Sequence, residues 1–152
     1  MIDDLLNQLV TRFTELTADL RFDYKPDPEN KRAPQIIKTM LPYPDQDFMD
    51  GQDFPRIRLA LYGGTAEDLR KPPDFSVLAS GAIWTAGDIE AGSKDIWLLT
   101  AAMMNITKNR SFPPFRLRTP CPFRIGDPQP DMEGIQPHPY HFVTMQLAFI
   151  NC

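Results

Sequence analysis

The sequence predicts an α+β fold, a mostly antiparallel or mixed sheet of about five strands with two helices packed on one face. Three observations carry that expectation. Two long stretches repeat apolar residues at three- and four-residue steps. Several shorter stretches alternate apolar and polar residues, and polar, proline-rich connections lie between them. The 152 residues suit a single domain, 1–152, because no linker-like shift in composition divides them and the length allows a hydrophobic core.

The stretch 2–20 is the clearest helix. Ile2, Leu5, Leu6, Leu9, Phe13, Leu16 and Leu20 form one stripe, and Asp3 and Asp4 fall in the first turn, where the helix dipole favours negative charge. A polar loop over 24–34 follows, then a strand over 35–41 and a second loop over 42–55. Residues 56–62 alternate cleanly, with Ile57, Leu59 and Leu61 facing a core and Arg56 and Arg58 facing away. Gly63-Gly64-Thr65 marks a turn leaving that strand. Another strand is expected over 75–86, its register blurred by small residues.

A second helix is expected over 88–107, with Ile89, Ile96, Leu99, Met103 and Ile106 on one side. Trp97, Leu98, Ala102 and Met104 widen its apolar surface, as in a helix that is deeply buried or packs on a second body. In 115–125, Phe115, Leu117, Cys121, Phe123 and Ile125 share one face, and Arg116, Arg118 and Arg124 the other. Pro120 and Pro122 keep that run from being an uninterrupted central strand, since each lacks a ladder donor. A last strand over 140–150 turns Val143, Met145, Leu147 and Phe149 inward.

Composition narrows the function classes. Sixteen prolines are about twice the usual share and predict stiff, extended connections, useful to a subunit that reaches onto its neighbours. A net charge of −4 argues against a dedicated nucleic-acid binder. Cys121 and Cys152 form no disulfide framework, which fits folding in a reducing compartment. Met1 leads into an acidic amphipathic stretch unlike a signal peptide, and no apolar run reaches the ~20 residues of a membrane span.

Both histidines lie near the C-terminus, His138 and His141, in the spacing H-x-x-H. On a helix they would share a face and could hold one metal. Pro137 and Pro139 instead favour extended backbone, in which side chains three apart point to opposite faces. With no third ligand nearby in sequence, the expectation is no metal site and imidazoles turned apart at the start of a core strand.

The acidic run 45–53 fails the calcium-loop pattern, since counting from Asp45 puts Met49 at position 5, Asp50 at position 6 and Arg56 at position 12. Gly63-Gly64-Thr65 is too short for a phosphate-binding fingerprint, and no nucleophile motif appears. Neither catalytic residues nor a cofactor are expected. Arg56, Arg58, Arg116, Arg118 and Arg124 fall on the non-core faces of the expected strands. A solvated or charge-protected sheet face is the first reading. A subunit interface, with arginine forks on a neighbour's carboxylates, is the second. A DNA-binding surface ranks third, given the acidic total.

The order of landmarks resembles a known family. An amphipathic N-terminal helix leads to DGQDFPRIRLALYGG, then a strand, a second amphipathic helix and a terminal QPHPYHFVTMQLAF. This arrangement is similar to the tail-terminator (tail-completion) proteins of long-tailed bacteriophages. A late His-Pro-Tyr before an aromatic-rich last strand, here His138, Pro139 and Tyr140, is a recurring mark of that family. Where many members of that family carry a tryptophan next, this chain has His141-Phe142, and its proline-rich stretches 24–34 and 111–130 are expanded or divergent.

The resemblance implies a non-enzymatic, structural subunit of a phage or prophage. It would form a homo-hexameric ring that caps the tail tube, stops its polymerisation and offers the head-joining surface. Implied partners are further copies, the tail-tube protein and a head-tail connector. DNA would pass through the lumen without sequence-specific binding, and no membrane would be involved. The implied location is the virion, at the head-proximal end of the tail, after assembly in the host bacterial cytoplasm. Candidate interface residues are Arg56, Arg58, Trp97, Arg116, Arg118 and Arg124. Alternatives are another neck or tail-tube component, or a small metal-binding enzyme using His138 and His141.

Overall fold

The N-terminal stripe closes into helix α1 (Ile2–Thr17), with Asp3 and Asp4 in its first turn and Leu5, Leu6, Leu9 and Phe13 buried. It stops short of Leu20, which still packs on the core from the turn beyond. The computed structural model describes residues 2–39, 54–65, 74–126 and 138–151. The acidic run 45–53, the rest of the loop 42–53, the connection 66–73, the stretch 127–137 and Cys152 lie outside the described residues.

After α1 come β1 (Gln35–Thr39), β2 (Arg56–Thr65) and β3 (Asp74–Trp84), then helix α2 (Ile89–Met104), which ends in a 3-10 turn, Asn105–Lys108. Among the described residues four further strands follow: β4 (Ser111–Phe112), β5 (Phe115–Leu117), β6 (Phe123–Ile125) and β7 (Tyr140–Asn151). The fold is α+β, as expected, with seven strands among the described residues instead of about five. They form one sheet in the order β1-β2-β3-β7-β5-β4, with β6 also paired to β7. β1 and β2 run parallel, and every other pair among the described residues is antiparallel.

The difference in strand number has a local cause. The run 115–125 is two strands, not one, and both lie along the same edge of β7. β6 pairs with Val143–Met145 and β5 with Phe149–Asn151. Pro120 and Pro122 fall between them, where the missing N–H groups interrupt the ladder. β4 adds a short hairpin to β5 around Pro113-Pro114. Gly63 is likewise corrected. It continues β2 past a bulge between Leu61 and Gly63 and does not end the strand. Several prolines sit at turns instead of extending the chain, and the bonds before Pro55, Pro114, Pro120 and Pro139 are cis.

The expected parity of β2 and β7 sorts the core. Ile57 and Leu59 of β2, Val77 and Ala79 of β3, and Val143, Met145, Leu147 and Phe149 of β7 pack with Leu9 and Phe13 of α1 and Ile96, Leu99 and Met103 of α2. On the opposite face Phe54, Ala82, Tyr140 and Phe142 form a second, smaller cluster, with Trp84 against it. Gly81 lies directly under α2, where a Cβ would come within 2.9 Å of Leu99 Cδ2 and of Val143 Cγ1. Cys121 is a free thiol. No helix among the described residues is long and apolar enough to cross a membrane.

Phe13 is fully buried between α1 and the sheet. Phe13→Ala is expected to cost about 3–5 kcal/mol through lost transfer energy and the cavity left behind. Urea unfolding checks this through a lowered midpoint at unchanged slope. A loss under about 1 kcal/mol would mean that α1 does not rest on this contact.

Candidate functional site

The last strand joins the sheet through a turn at His138-Pro139. Thr85 N–H, just past β3, donates to the Pro139 carbonyl at 3.0 Å and holds that turn against the end of β3. The next two side chains go to opposite faces, as a strand requires. Tyr140 joins the smaller cluster, edge-on to Phe54 with ring centroids 5.6 Å apart. Its hydroxyl accepts from Lys25 Nζ at 2.7 Å. His141 goes to the helix face and is fully buried.

The two imidazoles meet. His138 Nδ1 lies 3.2 Å from His141 Nε2, with the rings at 78° to each other. The expectation that they turn apart is therefore corrected. Alternation governs β7 only from Tyr140 onward, whereas His138 sits in the turn, whose backbone carries its ring back over the helix face.

Helix α2 makes room for this pair. Asp88 caps its N-terminus by accepting from Ala91 N–H at 2.8 Å, which places Gly92 in the first turn. A Cβ on Gly92 would sit 2.7 Å from both Cδ2 and Cε1 of His141 and closer still to Nε2. Only glycine fits there without moving the ring.

Burial sets the electrostatics. His141 is pushed down from 6.5 to about 4, first because a buried imidazolium loses its hydration and then because His138 stands beside it. Its Nδ1 has no hydrogen-bond partner among the described residues, so a proton added there would be unsupported. Further along α2, burial raises the Asp95 carboxyl above its ordinary range, and Asp23 adds to that. Asp23 itself accepts from Ala86 N–H at 2.9 Å.

Two imidazoles do not make a zinc centre, which takes three or four protein ligands. Among the described residues no third histidine, cysteine or carboxylate groups with them. What the pair does physically is join three parts of the fold: the turn, the start of β7 and the first turn of α2.

The arginines do not form one patch. Arg58 and Arg124 lie in a single cross-strand row, Arg58–Ser80–Thr144–Arg124, on the face away from the helices. Arg56 shares that face but is only 2% exposed, its guanidinium 4.5 Å above the Phe54 ring, so the expected solvated position is corrected. Arg118 lies just past β5, with Nη2 4.0 Å from Asp74. Arg116 of β5 lines a cleft with Lys108 and Arg110. Trp97, 55% exposed, lies on the outer side of α2 with Leu98 at 53% and Met104 at 42%, so this helix is not deeply buried.

Sequence reasoning missed Gly92, Lys108 and Arg110. Gly92 leaves no local signal, because its partner His141 is distant in the chain. Lys108 and Arg110 had one, the run KNRSFPPFRLR over 108–118, with four basic residues and no acidic one. No protein-family model matches this sequence, and neither does any curated protein.

Two outcomes follow for the histidine contact. Alanine is the better helix former by about 1 kcal/mol, but overpacking against a fixed ring costs about 1–3 kcal/mol, so Gly92→Ala should lower the thermal midpoint. His141→Ala should relieve that loss in the double variant, and a Gly92→Ala protein more stable than the parent would refute the contact.

The second outcome concerns pH. The folded protein keeps His141 neutral down to about 4, while the unfolded chain takes up its proton below 6.5. Between those values the unfolded state binds more protons, so stability is present above 6.5 and is lost as the pH falls towards 4, by on the order of 2–3 kcal/mol. Urea midpoints at about pH 7 and about pH 4.5 should therefore diverge less in His141→Phe than in the parent. Equal divergence would assign the acid loss to other groups.

Proposed function

We propose that this chain is a tail-terminator subunit of a long-tailed bacteriophage or prophage. Copies form a ring that caps the tail tube, stops its growth and offers the surface for head joining. The observation that carries the reading is the outer side of α2. Trp97, Leu98, Ala101 and Met104 recur at helical spacing and are exposed in the single chain. Isolated exposed apolar residues are ordinary, but a contiguous stripe of this kind marks a surface for another protein. It continues past Met104 into an apolar groove of about 530 Å³ that includes Pro120, Pro122 and Phe123.

The sequence resemblance supports the same reading. The element order agrees with it, and His138-Pro139-Tyr140 stands where the family's mark stands, at the entrance to a long last strand. The role requires no catalysis and no cofactor. Its partners are further copies, the tail-tube protein, a head-tail connector and DNA in transit, within the virion after assembly in the bacterial cytoplasm. Another neck or tail-tube component would share the ring but would not arrest tube growth. One observation favours the metal-binding alternative, the contact of His138 with His141. Tight stoichiometric zinc that disappears in His138→Ala would support it.

Light scattering after size exclusion should show a hexameric ring that forms with rising concentration. Trp97→Glu with Leu98→Glu should abolish it while leaving the helical circular dichroism and thermal midpoint of the monomer unchanged. Mixed with polymerising tail-tube protein, the parent should shorten the tubes seen by electron microscopy. A chain that stays monomeric at all concentrations and leaves tube length unchanged would overturn the proposal.

A further inference from the structure

We infer that the cleft beside the β4–β5 hairpin binds the phosphodiester backbone of nucleic acid without reading its sequence. The inference stands on this cleft alone and does not depend on ring formation. Its starting point is a segregation of charge that the total conceals. The chain holds sixteen basic and twenty acidic residues, but residues 108–118 contain four of the basic ones and none of the acidic ones. A polyanion meets local potential, not net charge.

The fold gathers these residues around one concavity. Lys108 ends the 3-10 turn, Arg110 precedes β4, and Arg116 returns on β5. Together with Ser111, Pro113 and Pro114 they line a cleft of about 500 Å³ into which no carboxylate of the described residues projects. Arg12 of α1 adds a fourth positive charge behind it. Its guanidinium donates to the carbonyls of Asn109 at 2.9 Å and Ser111 at 3.3 Å and lies 4.5 Å over the Phe112 ring. Gln8 Nε2 donates to the Pro113 carbonyl at 2.8 Å, and Leu117 N–H to the Arg110 carbonyl at 2.8 Å. The cationic rim is thus built on a braced hairpin.

Among the described residues the rim charges are uncompensated. Lys108, Arg110 and Arg116 make no ion pair there, unlike Arg118, which has Asp74 at 4.0 Å. The only side-chain bond of Arg110 among the described residues is a long one, Nη1 to Thr119 Oγ1 at 3.5 Å. Three like charges around one cleft repel one another, and a bridging anion removes that repulsion. Guanidinium forks suit phosphate oxygens in particular.

The surroundings favour a phosphodiester over an acidic protein. A protein partner would need an apolar centre to its contact, whereas the exposed apolar atoms here are those of Pro113 and Pro114. Phe115 lines the cleft but is buried, as is Phe112, so among the described residues no exposed ring is offered for base stacking. Contacts to the backbone alone position a nucleic acid without specifying it.

Fluorescence anisotropy of a labelled duplex of about 30 base pairs tests this, using the full chain at about 20 mM and about 200 mM sodium chloride. Three phosphate contacts predict a fall of about 10²–10³-fold in affinity over that range, and duplexes of unrelated sequence should bind alike. Arg110→Glu with Arg116→Glu should weaken low-salt binding by at least about tenfold, and Arg110→Gln with Arg116→Gln by less, each with an unchanged thermal midpoint. Lys94→Glu, on α2 and away from the cleft, should bind as the parent does. Absence of low-salt binding would sink the inference, as would an equal loss in Lys94→Glu. Displacement by polyglutamate as effective, per charge, as by unlabelled duplex would reassign the cleft to an acidic protein. None of these results bears on ring formation, so the two proposals fail separately.

Discussion

Helix α2 can lie as close to β3 and β7 as it does only because two residues at the contact carry no side chain. Gly81 lets Leu99, Met103 and Val143 meet over the sheet, and Gly92 leaves room for the buried ring of His141. Much of the rest depends on that seat. Because the helix sits low, His141 is cut off from water and stays neutral well below its ordinary range. Because Ile96, Leu99 and Met103 are directed into the core, Trp97, Leu98 and Met104 must face outward. The end of the same helix tightens into the 3-10 turn that delivers Lys108 to the hairpin cleft.

The sequence made local periodicity legible and spatial neighbours illegible. α1, β2 and β7 were readable because each exposes one face to a core, and the resulting stripe or alternation survives in the sequence. The partner of a strand leaves no such trace. Nothing in Gln35–Thr39 says that it runs parallel to β2. Pro120 and Pro122 correctly ruled out an uninterrupted central strand, but not that both flanking pieces return to the same edge of β7. Parity assigned Arg56 to the correct face and misjudged its burial, because that face has a small core of its own around Phe54. The histidine contact is illegible for a different reason: alternation describes extended chain, and His138 lies in a turn.

Two surfaces of opposite character flank the end of α2, and their solvation separates their uses. The stripe of Trp97, Leu98 and Met104 gains by leaving water. The remaining exposed half of a tryptophan alone is worth about 2 kcal/mol when covered. Lys108, Arg110 and Arg116 behave in the reverse way, since drying each ion without a paired carboxylate costs several kcal/mol. A lasting contact between folded subunits is therefore favoured on the helix and disfavoured at the cleft. The cleft suits a wet contact that exchanges water and counterions and releases easily. Elsewhere the sequence holds twelve basic residues against twenty acidic ones, which would repel a phosphate chain that strayed from it. Local cations within an acidic chain would thus confine the polyanion proposed for the cleft to one place and keep its binding weak.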